Sequence, residues 1–294
     1  MASVAENSYQ RGIPRRLSLS FVHAWTFTYT HVVNRTAVMN EDTLLELVRR
    51  RPKGTPLITV SNHMSTLDDP LLWNQWRLRF SDPHLCRWTL TARDICFTHP
   101  FTAYLFRLAK CIPIDRYGGI YQPGMTEAVQ RLSAGGWLHI FPEGRITQEH
   151  VALARLKWGL ASVIDRCTSP VPPIILCVAH SGFENVMPEP RAFGHRAIAP
   201  LWGQRIAVVV GEPFQFNMPA LRAAAAHAAD HPHDSTFGTD GCLLATAQLL
   251  WFITGEVRHR LQRAADEAHP VERSTTGCKQ QLMKHTQRYA DGCC

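Results

Sequence analysis

Apolar and polar positions follow two alternating patterns along this chain from residue 43 onward. Short runs rich in β-branched residues, typical of buried strands, alternate with longer segments whose apolar residues recur three and four positions apart, as in amphipathic helices. This alternation predicts one α/β domain with a mostly parallel central sheet flanked by helices. The predicted strands cover residues 57–60, 88–90, 111–114, 137–141, 174–178 and 206–210.

The helical spacing predicts four helices between and after these strands. The first covers residues 71–80, with Asp69 as its N-cap and Pro70 at its first position. Each of the other three has one apolar face. These faces comprise Met125, Val129 and Leu132; Leu153, Leu156, Leu160, Val163, Ile164 and Cys167; and Leu243, Ala247, Leu250, Thr254, Val257 and Leu261.

Length and composition set the domain organisation. A chain of 294 residues that is 45% hydrophobic can bury one large core or two small ones. We predict an N-terminal segment over residues 1–40, one catalytic domain over 41–264 and a polar tail over 265–294, disordered from about His269. Within the domain, the alanine-rich stretch 223–241 is predicted to be a variable surface excursion.

Two aromatic-rich segments are candidates for contact with a membrane surface. Residues 17–34 carry aromatic residues directly after Arg15 and Arg16, and residues 95–114 carry apolar residues beside Arg107 and Lys110. Both contain too many polar residues to cross a bilayer, and aromatics next to cations suit the interface. In the second segment, the residues expected to face lipid are Phe97, Phe101, Tyr104, Leu105 and Leu108. The alternative for each segment is an ordinary helix packed on the core.

Charge and cysteine content restrict the possible partners. The formal net charge of +7 suits an anionic partner, such as a phospholipid headgroup, a phosphorylated metabolite or a nucleic acid. The nine cysteines are scattered without zinc-site spacing, so we expect neither a metal nor a disulfide scaffold. The basic residues form no nucleic-acid recognition motif, which makes nucleic acid the weakest of the three partners.

The stretch VSNHMSTLDDP, residues 60–70, places candidate catalytic groups directly after a buried strand. His63 lies in the loop, and Asp68 is close enough in sequence for its carboxylate to fold back and accept a hydrogen bond from the imidazole. Such a contact fixes the tautomer and raises the basicity of the other ring nitrogen, so the pair is suited to act as a general base on a hydroxyl. The alternative is a loop histidine held by a turn carboxylate.

Three other predicted strands also end in polar residues. HIFPEGR ends in Glu143, Gly144 and Arg145; CIPIDR ends in Arg116; and PPIILCVAHSG ends in His180 and Gly182. Because carboxyl ends of parallel strands meet at one edge of a sheet, we expect these groups to converge with His63 and form a ligand site.

These segments carry a family resemblance. Residues 63–68, 112–116, 141–144 and 173–178 resemble, in content and order, the four motifs of the glycerolipid acyltransferases, which esterify glycerol phosphates and lysophospholipids. Within that family, TPLITVSNHMSTLDDPLLW, DICFT, HIFPEGR, LKWG and PPIILCVAHSG resemble the mitochondrial transacylases that pass acyl chains from phospholipid to lysophospholipid and remodel cardiolipin. Arg145 departs from the lysine common in those transacylases, and Cys177 from a usual proline.

The resemblance implies roles for these residues. His63 is expected to deprotonate the lysophospholipid hydroxyl, while Asp68 holds the imidazole and stabilises its charged form. Glu143, Gly144 and Arg145 are expected to position the headgroup of the acceptor.

A further phosphate contact is implied for Arg116. Three structural alternatives stay open: Arg116 is a solvated charge or a partner of Asp115, Glu143 satisfies nearby backbone amides, and Lys157 of LKWG is a helix-surface charge.

The function implied is a phospholipid–lysophospholipid transacylase without a cofactor, on a mitochondrial membrane as a peripheral or monotopic protein. An acyltransferase that uses acyl-CoA would carry the same His63 and Asp68, and a non-enzymatic lipid-binding protein would not need them close together.

Overall fold

A seven-stranded sheet forms the centre of the part of the chain described by the computed structural model, which comprises residues 12–73, 85–148, 153, 155–189, 199–230 and 241–274. The strands are β1 (Arg35–Met39), β2 (Leu57–Val60), β3 (Trp88–Ala92), β4 (Cys111–Ile114), β5 (Trp137–Ile140), β6 (Ile174–Ser181) and β7 (Arg205–Val210). Their order across the sheet is β1-β7-β6-β2-β5-β3-β4. Every neighbouring pair is parallel except β6 and β7. The predicted α/β fold with a mostly parallel sheet is confirmed.

Ten α-helices accompany the strands in the same described ranges. They are α1 (Ile13–Phe27), α2 (Glu41–Arg50), α3 (Asp68–Leu72), α4 (Arg93–Cys96), α5 (Pro100–Leu108), α6 (Pro123–Ser133), α7 (Gly159–Asp165), α8 (Phe183–Val186), α9 (Met218–Asp230) and α10 (Gly241–Ser274). A π-helical turn, Thr28–Val33, continues α1 towards β1. None of these helices combines the length and apolar character needed to cross a membrane.

Apolar side chains cover both faces of the sheet. On β2, Ile58 and Val60 pack on one face with residues of α6, α7 and α10, and Leu57 packs on the other with residues of α1, α2 and α3. All three are fully buried. Burial of one such side chain stabilises the fold by about 1.5–3 kcal/mol, so the two-sided packing fixes the direction in which β2 delivers the loop that follows it.

All six predicted strands are present within a residue or a few of the expected bounds, and β1 is an additional edge strand inside the predicted N-terminal segment. The predicted apolar face of α6 is buried as expected. Helix α7 begins only at Gly159, so Leu153 and Leu156 precede it, although both are buried in the same core. On α10, Leu250, Val257 and Leu261 are buried.

Other predicted boundaries need correction. Asp69 is not an N-cap, because α3 already begins at Asp68 and Leu67 occupies the cap position. The helix predicted over residues 71–80 ends at Leu72, and residues 74–84 lie outside the described ranges. Residues 223–230 of the predicted surface excursion are helical, as part of α9, and residues 231–240 lie outside the described ranges. Helix α10 continues to Ser274, so the first part of the predicted tail is helical.

The register of the sheet decides which side chains meet beyond the strand ends. Val60 of β2 pairs with Ile140 of β5 on one side and with Cys177 of β6 on the other. The residues three positions after Val60, Ile140 and Cys177 are therefore level with one another. They are His63, Glu143 and His180.

Candidate active site

The imidazole of His63 is held on two sides and open on a third. Its Nδ1 lies 3.1 Å from Oδ2 of Asp68. Its ring stacks on Phe141, with 4.2 Å between centroids and 24° between planes. The His63 side chain is 22% exposed, and its Nε2 makes no hydrogen bond to any described residue. The free nitrogen is thus available to a hydroxyl that enters from solvent or lipid.

Asp68 is fully buried and fixed by the backbone of its own loop. Besides His63, its Oδ2 accepts hydrogen bonds from the amides of Met64, at 2.6 Å, and Ser65, at 2.9 Å. These three contacts converge on one oxygen and fix the orientation of the carboxylate. An acceptor beside Nδ1 places the ring proton on that nitrogen and leaves the lone pair of Nε2 open.

A second histidine lies against the same carboxylate. His180 Nε2 is 3.6 Å from Asp68 Oδ2 and 2.8 Å from the carbonyl oxygen of Asn62. Because both neighbours are acceptors, Nε2 carries the proton. Burial lowers the pKa of His180, although the nearby Asp68 opposes this effect, so the ring is neutral. His180 therefore acts as a hydrogen-bond donor and leaves the negative charge of Asp68 to His63.

Asn62 joins β2 to β6 at this level. Its side-chain amide donates to the carbonyl of His180 at 2.8 Å, and its Oδ1 accepts from the amide of His180 at 3.0 Å. Through these two hydrogen bonds, the side chain of Asn62 pairs with the backbone of β6 just beyond the end of β2. This pairing fixes the residue directly before His63 relative to the neighbouring strand.

Glu143 fixes the backbone of His63 from the other side. It is 4% exposed, and its Oε1 accepts a hydrogen bond from the amide of His63 at 2.9 Å. The structure thus shows Glu143 in contact with a backbone amide, the alternative left open by the sequence, and a headgroup contact for it stays a prediction.

Gly144 and Lys157 lie together beside this carboxylate. Gly144 has a φ of +66°, which favours glycine, and a β-carbon there would be 2.8 Å from the end of the Lys157 side chain. Lys157 precedes α7, so it is not a helix-surface charge as the sequence suggested. It brings a cation to the loop that contains Glu143, a placement that sequence spacing alone did not indicate.

The two predicted phosphate contacts occupy different places. Arg145 is exposed and has no partner among the described side chains. Arg116 lies at the end of β4, where its Nε is 3.5 Å from Asp94. Asp115 pairs with Arg93 at 2.8 Å, so the expected alternative pair between Arg116 and Asp115 is not formed. Three strand spacings separate β4 from β2, which puts Arg116 about 14 Å from the position of His63 along the sheet.

A buried polar network supports the site from below. His139 Nδ1 lies 3.0 Å from the hydroxyl of Thr59, and its Nε2 lies 3.4 Å from that of Ser61. Burial lowers the pKa of His139 to about 3, so this histidine is neutral and structural.

An ion pair lies next to this network. Asp69 accepts hydrogen bonds from the guanidinium of Arg87 and, at 3.2 Å, from the indole of Trp73. Burial alone would raise the pKa of Asp69, but Arg87 outweighs that effect and the pKa is lowered. Asp69 thus anchors α3 to the segment directly before β3 instead of capping a helix.

Among the described residues, the imidazole of His63 has no protein nucleophile beside it. No serine, threonine or cysteine among the described residues hydrogen-bonds to His63. No group of metal-binding side chains is found in that part of the chain either. The arrangement is suited to activate a hydroxyl or amine of a bound molecule for direct attack on a carbonyl.

Comparisons with known proteins agree with this chemistry. Residues 41–177 match the family model described as Acyltransferase. An N-acylphosphatidylethanolamine synthase of Arabidopsis thaliana is 50% identical over 222 residues, which cover 75% of this chain and 78% of that protein. A tafazzin of Drosophila melanogaster is 37% identical over 63% of this chain, and a tafazzin of Dictyostelium discoideum is 49% identical over 45% of it. Both alignments span 47% of the tafazzin. The predicted resemblance to tafazzins within the acyltransferase family is confirmed.

Proposed function

The chain belongs to the acyltransferase family and is an acyltransferase, and from this premise we propose that it moves fatty acyl chains from a phospholipid to a lysophospholipid without coenzyme A. The observation that carries the proposal is the contact between His63 and the buried Asp68, with Nε2 open and no protein nucleophile hydrogen-bonded to it. The likeness to tafazzins favours a phospholipid as donor and cardiolipin with its lyso form as substrates, in a mitochondrial membrane.

The reaction needs both lipids at the site together. His63 Nε2 takes the proton of the acceptor hydroxyl as the oxygen attacks the carbonyl carbon of the donor ester. The tetrahedral intermediate collapses when His63 returns that proton to the leaving oxygen of the donor, which departs as a lysophospholipid. One ester forms and one breaks, and Asp68 stabilises the charged imidazole between the two steps.

The surface of the molecule supports attachment to a membrane. Ile13, Leu17, Phe21 and Trp25 recur every four residues along α1, and all are exposed, from 41% for Trp25 to 75% for Phe21. These four residues form an exposed apolar stripe on α1. Such a stripe is suited to insert at the boundary between the headgroups and the acyl chains of a membrane.

On the second segment proposed for lipid contact, exposed apolar residues lie on α5, which packs beside α1, and at Ile95 of α4, whereas Phe97 is half-buried. Phe101, Tyr104 and Leu105 are exposed, whereas Leu108 is buried. Arg107 pairs with Glu127 at 2.9 Å, and Lys110 donates to the carbonyl of Cys86 at 3.0 Å. The two cations therefore point inward, which corrects their predicted contact with lipid phosphates.

Loss of acyl transfer in variants of His63 and Asp68 tests the proposal. His63→Ala removes the base, and Asp68→Asn removes the charge that orients it, so each should lower the rate of acyl transfer to a labelled lysophospholipid by about 10²- to 10⁴-fold. Because the two act as a unit, the double variant should be hardly slower than the slower single variant.

His259→Ala on the exposed side of α10 is the matched control and should transfer acyl chains at the wild-type rate. Circular dichroism establishes folding for each variant. Wild-type turnover by folded His63→Ala protein would refute the mechanism.

A second acceptor is favoured by the Arabidopsis relative, whose name describes acylation of phosphatidylethanolamine on nitrogen. The same base can serve an amine once the amine is neutral, and the product is then an amide. Mild alkaline hydrolysis of the product separates the two candidates, because it cleaves an acyl ester and leaves an acyl amide intact. An alkali-stable product from phosphatidylethanolamine would assign the nitrogen acceptor.

A further inference from the structure

A cavity of about 830 Å³ opens at the edge of the sheet opposite His63. Its walls come from the segments before β2, β3, β4 and β5 and from the start of α1. These strands are parallel, so the cavity lies at their amino ends and the active site at their carboxyl ends. Four residues of β2 alone span about 13 Å, which separates the two places.

The lining of this cavity is strongly basic. Within the described residues, six cations line it and no aspartate or glutamate does. A cavity that is lined by cations and partly apolar walls raises the local concentration of anions. The cations are Arg15, Arg16, Arg51, Lys53, Lys110 and Arg131.

Neutral groups hold several of these cations in place. The guanidinium of Arg51 donates to the carbonyls of Thr55, at 3.0 Å, and Gly135, at 3.3 Å. Lys110 lies 5.2 Å from the ring centre of Trp88. Carbonyl dipoles orient the guanidinium of Arg51 without cancelling its charge, and burial lowers its pKa. Arg131 differs, because Glu127 at 3.3 Å offsets its charge.

The mouth of the cavity adjoins the exposed stripe of α1. Arg16 and Lys53 are exposed lining residues, and Arg16 is flanked along the chain by Leu17 of the stripe. Trp88, Trp137 and Leu85 add apolar surface inside. A molecule with an anionic head and a glycerol body that approaches along α1 meets both kinds of surface.

We infer that this basic cavity binds the phosphate group of an anionic phospholipid headgroup, at a site separate from His63. The inference rests on the proposed function only in taking α1 to lie on a membrane. A soluble phosphate ester has the same phosphate chemistry, and the two sources are distinguished by the probes below. Exposed Arg16 and Lys53 contact the phosphate, and the buried cations fix the positive potential behind it.

Equilibrium dialysis of the full chain tests the site with water-soluble probes: dihexanoyl phosphatidic acid, dihexanoyl phosphatidylcholine and inorganic phosphate. Phosphatidic acid should bind to the wild type more tightly than either of the other two. Arg16→Glu and Lys53→Glu, which lie on different segments, should each weaken its binding by about tenfold or more, because each replaces a charge-assisted contact by repulsion.

Arg35→Glu is the matched control, since Arg35 is an exposed cation on the edge strand β1 and the charge change is the same. It should bind phosphatidic acid like the wild type. Lys53→Glu should also transfer acyl chains between short-chain lipids at the wild-type rate. The binding site in the cavity and the catalytic role of His63 can therefore be refuted independently of each other. If one variant does not fold, the other decides.

Three results would overturn the inference. Wild-type binding by a folded Arg16→Glu or Lys53→Glu variant would show that the cavity is not the site. An equal loss in Arg35→Glu would reduce the effect to net charge. Inorganic phosphate bound as tightly as phosphatidic acid would assign the cavity to soluble phosphate and not to a lipid.

Discussion

At the scale of single residues, the site depends on one buried carboxylate with two imidazoles beside it. Asp68 contacts His63 at 3.1 Å and lies 3.6 Å from His180, but only His63 is open to solvent. Burial makes the difference, because it keeps His180 neutral and leaves it as a donor. The two histidines thus differ in role although they share a partner.

The contact of His63 with Asp68 could be predicted, because both residues lie in one short loop. The contacts of Glu143 and His180 could not, since they depend on which strands flank β2. Asp69 was assigned wrongly as a cap, because its true partner, Arg87, is distant in sequence and lies on another element. Local spacing identifies local contacts, and the remaining contacts require the strand order.

The buried histidines make stability depend on pH. In the unfolded chain each binds a proton below about pH 6.5, whereas folded His139 stays neutral down to about pH 3. Between these values the unfolded state binds more protons, so the free energy of unfolding is highest above pH 6.5 and falls as pH decreases. The slope well below pH 6.5 is about 1.4 kcal/mol per pH unit for each such histidine.

Urea unfolding at about pH 7, 6 and 5 measures this dependence. His139→Gln should reduce the slope of the free energy of unfolding against pH by the contribution of one buried histidine. His259→Gln, at an exposed position, should leave this slope unchanged. A wild-type free energy of unfolding that is constant over this range would contradict the account of the buried imidazoles.

At the scale of elements, the buried strands were predicted well because both faces of each are covered. A short buried run rich in β-branched residues, as in β2 and β7, indicates a strand with little ambiguity. The edge strand β1 was missed because none of its five residues is buried and it directly follows a helical, aromatic segment. The inward course of Arg107 and Lys110 was missed because helical spacing does not show which side of α5 meets a neighbour.

The stripe on α1 is the element that we expect to attach the protein to membranes. Leu17→Ser together with Phe21→Ser should lower cosedimentation with vesicles of phosphatidylcholine and anionic lipid at least about tenfold, because each side chain contributes on the order of 1.5 kcal/mol when buried. Both are largely exposed in the structure, at 66% and 75%, so the fold should not change.

Val171→Ser in the loop before β6 is the control, since it removes an exposed apolar residue elsewhere. Its vesicle binding should equal that of the wild type. Unchanged binding of the α1 double variant would mean that the stripe does not enter the membrane.

At the scale of the whole molecule, the sheet separates two sites at opposite edges. The order β6-β2-β5 brings His180, near the end of β6, together with the loops that contain His63 and Glu143 at the carboxyl edge. At the amino edge, the segments before β2, β3, β4 and β5 and the start of α1 form the basic cavity. The sequence motifs predicted that polar residues would meet at the carboxyl edge. They did not predict the basic cavity, because its cations come from several distant segments that share no motif.

The most direct test of the central claim is acyl exchange without coenzyme A. Purified protein is incubated in mixed vesicles with a phospholipid labelled on its acyl chain and an unlabelled lysophospholipid. We expect one molecule of lysophospholipid to appear from the donor for each acceptor that gains the label, without free fatty acid, and the exchange to be reversible because one ester replaces another. If the label does not move, yet the lysophospholipid is acylated once acyl-CoA is added, the transacylase proposal is wrong and the chain is an acyl-CoA-dependent acyltransferase.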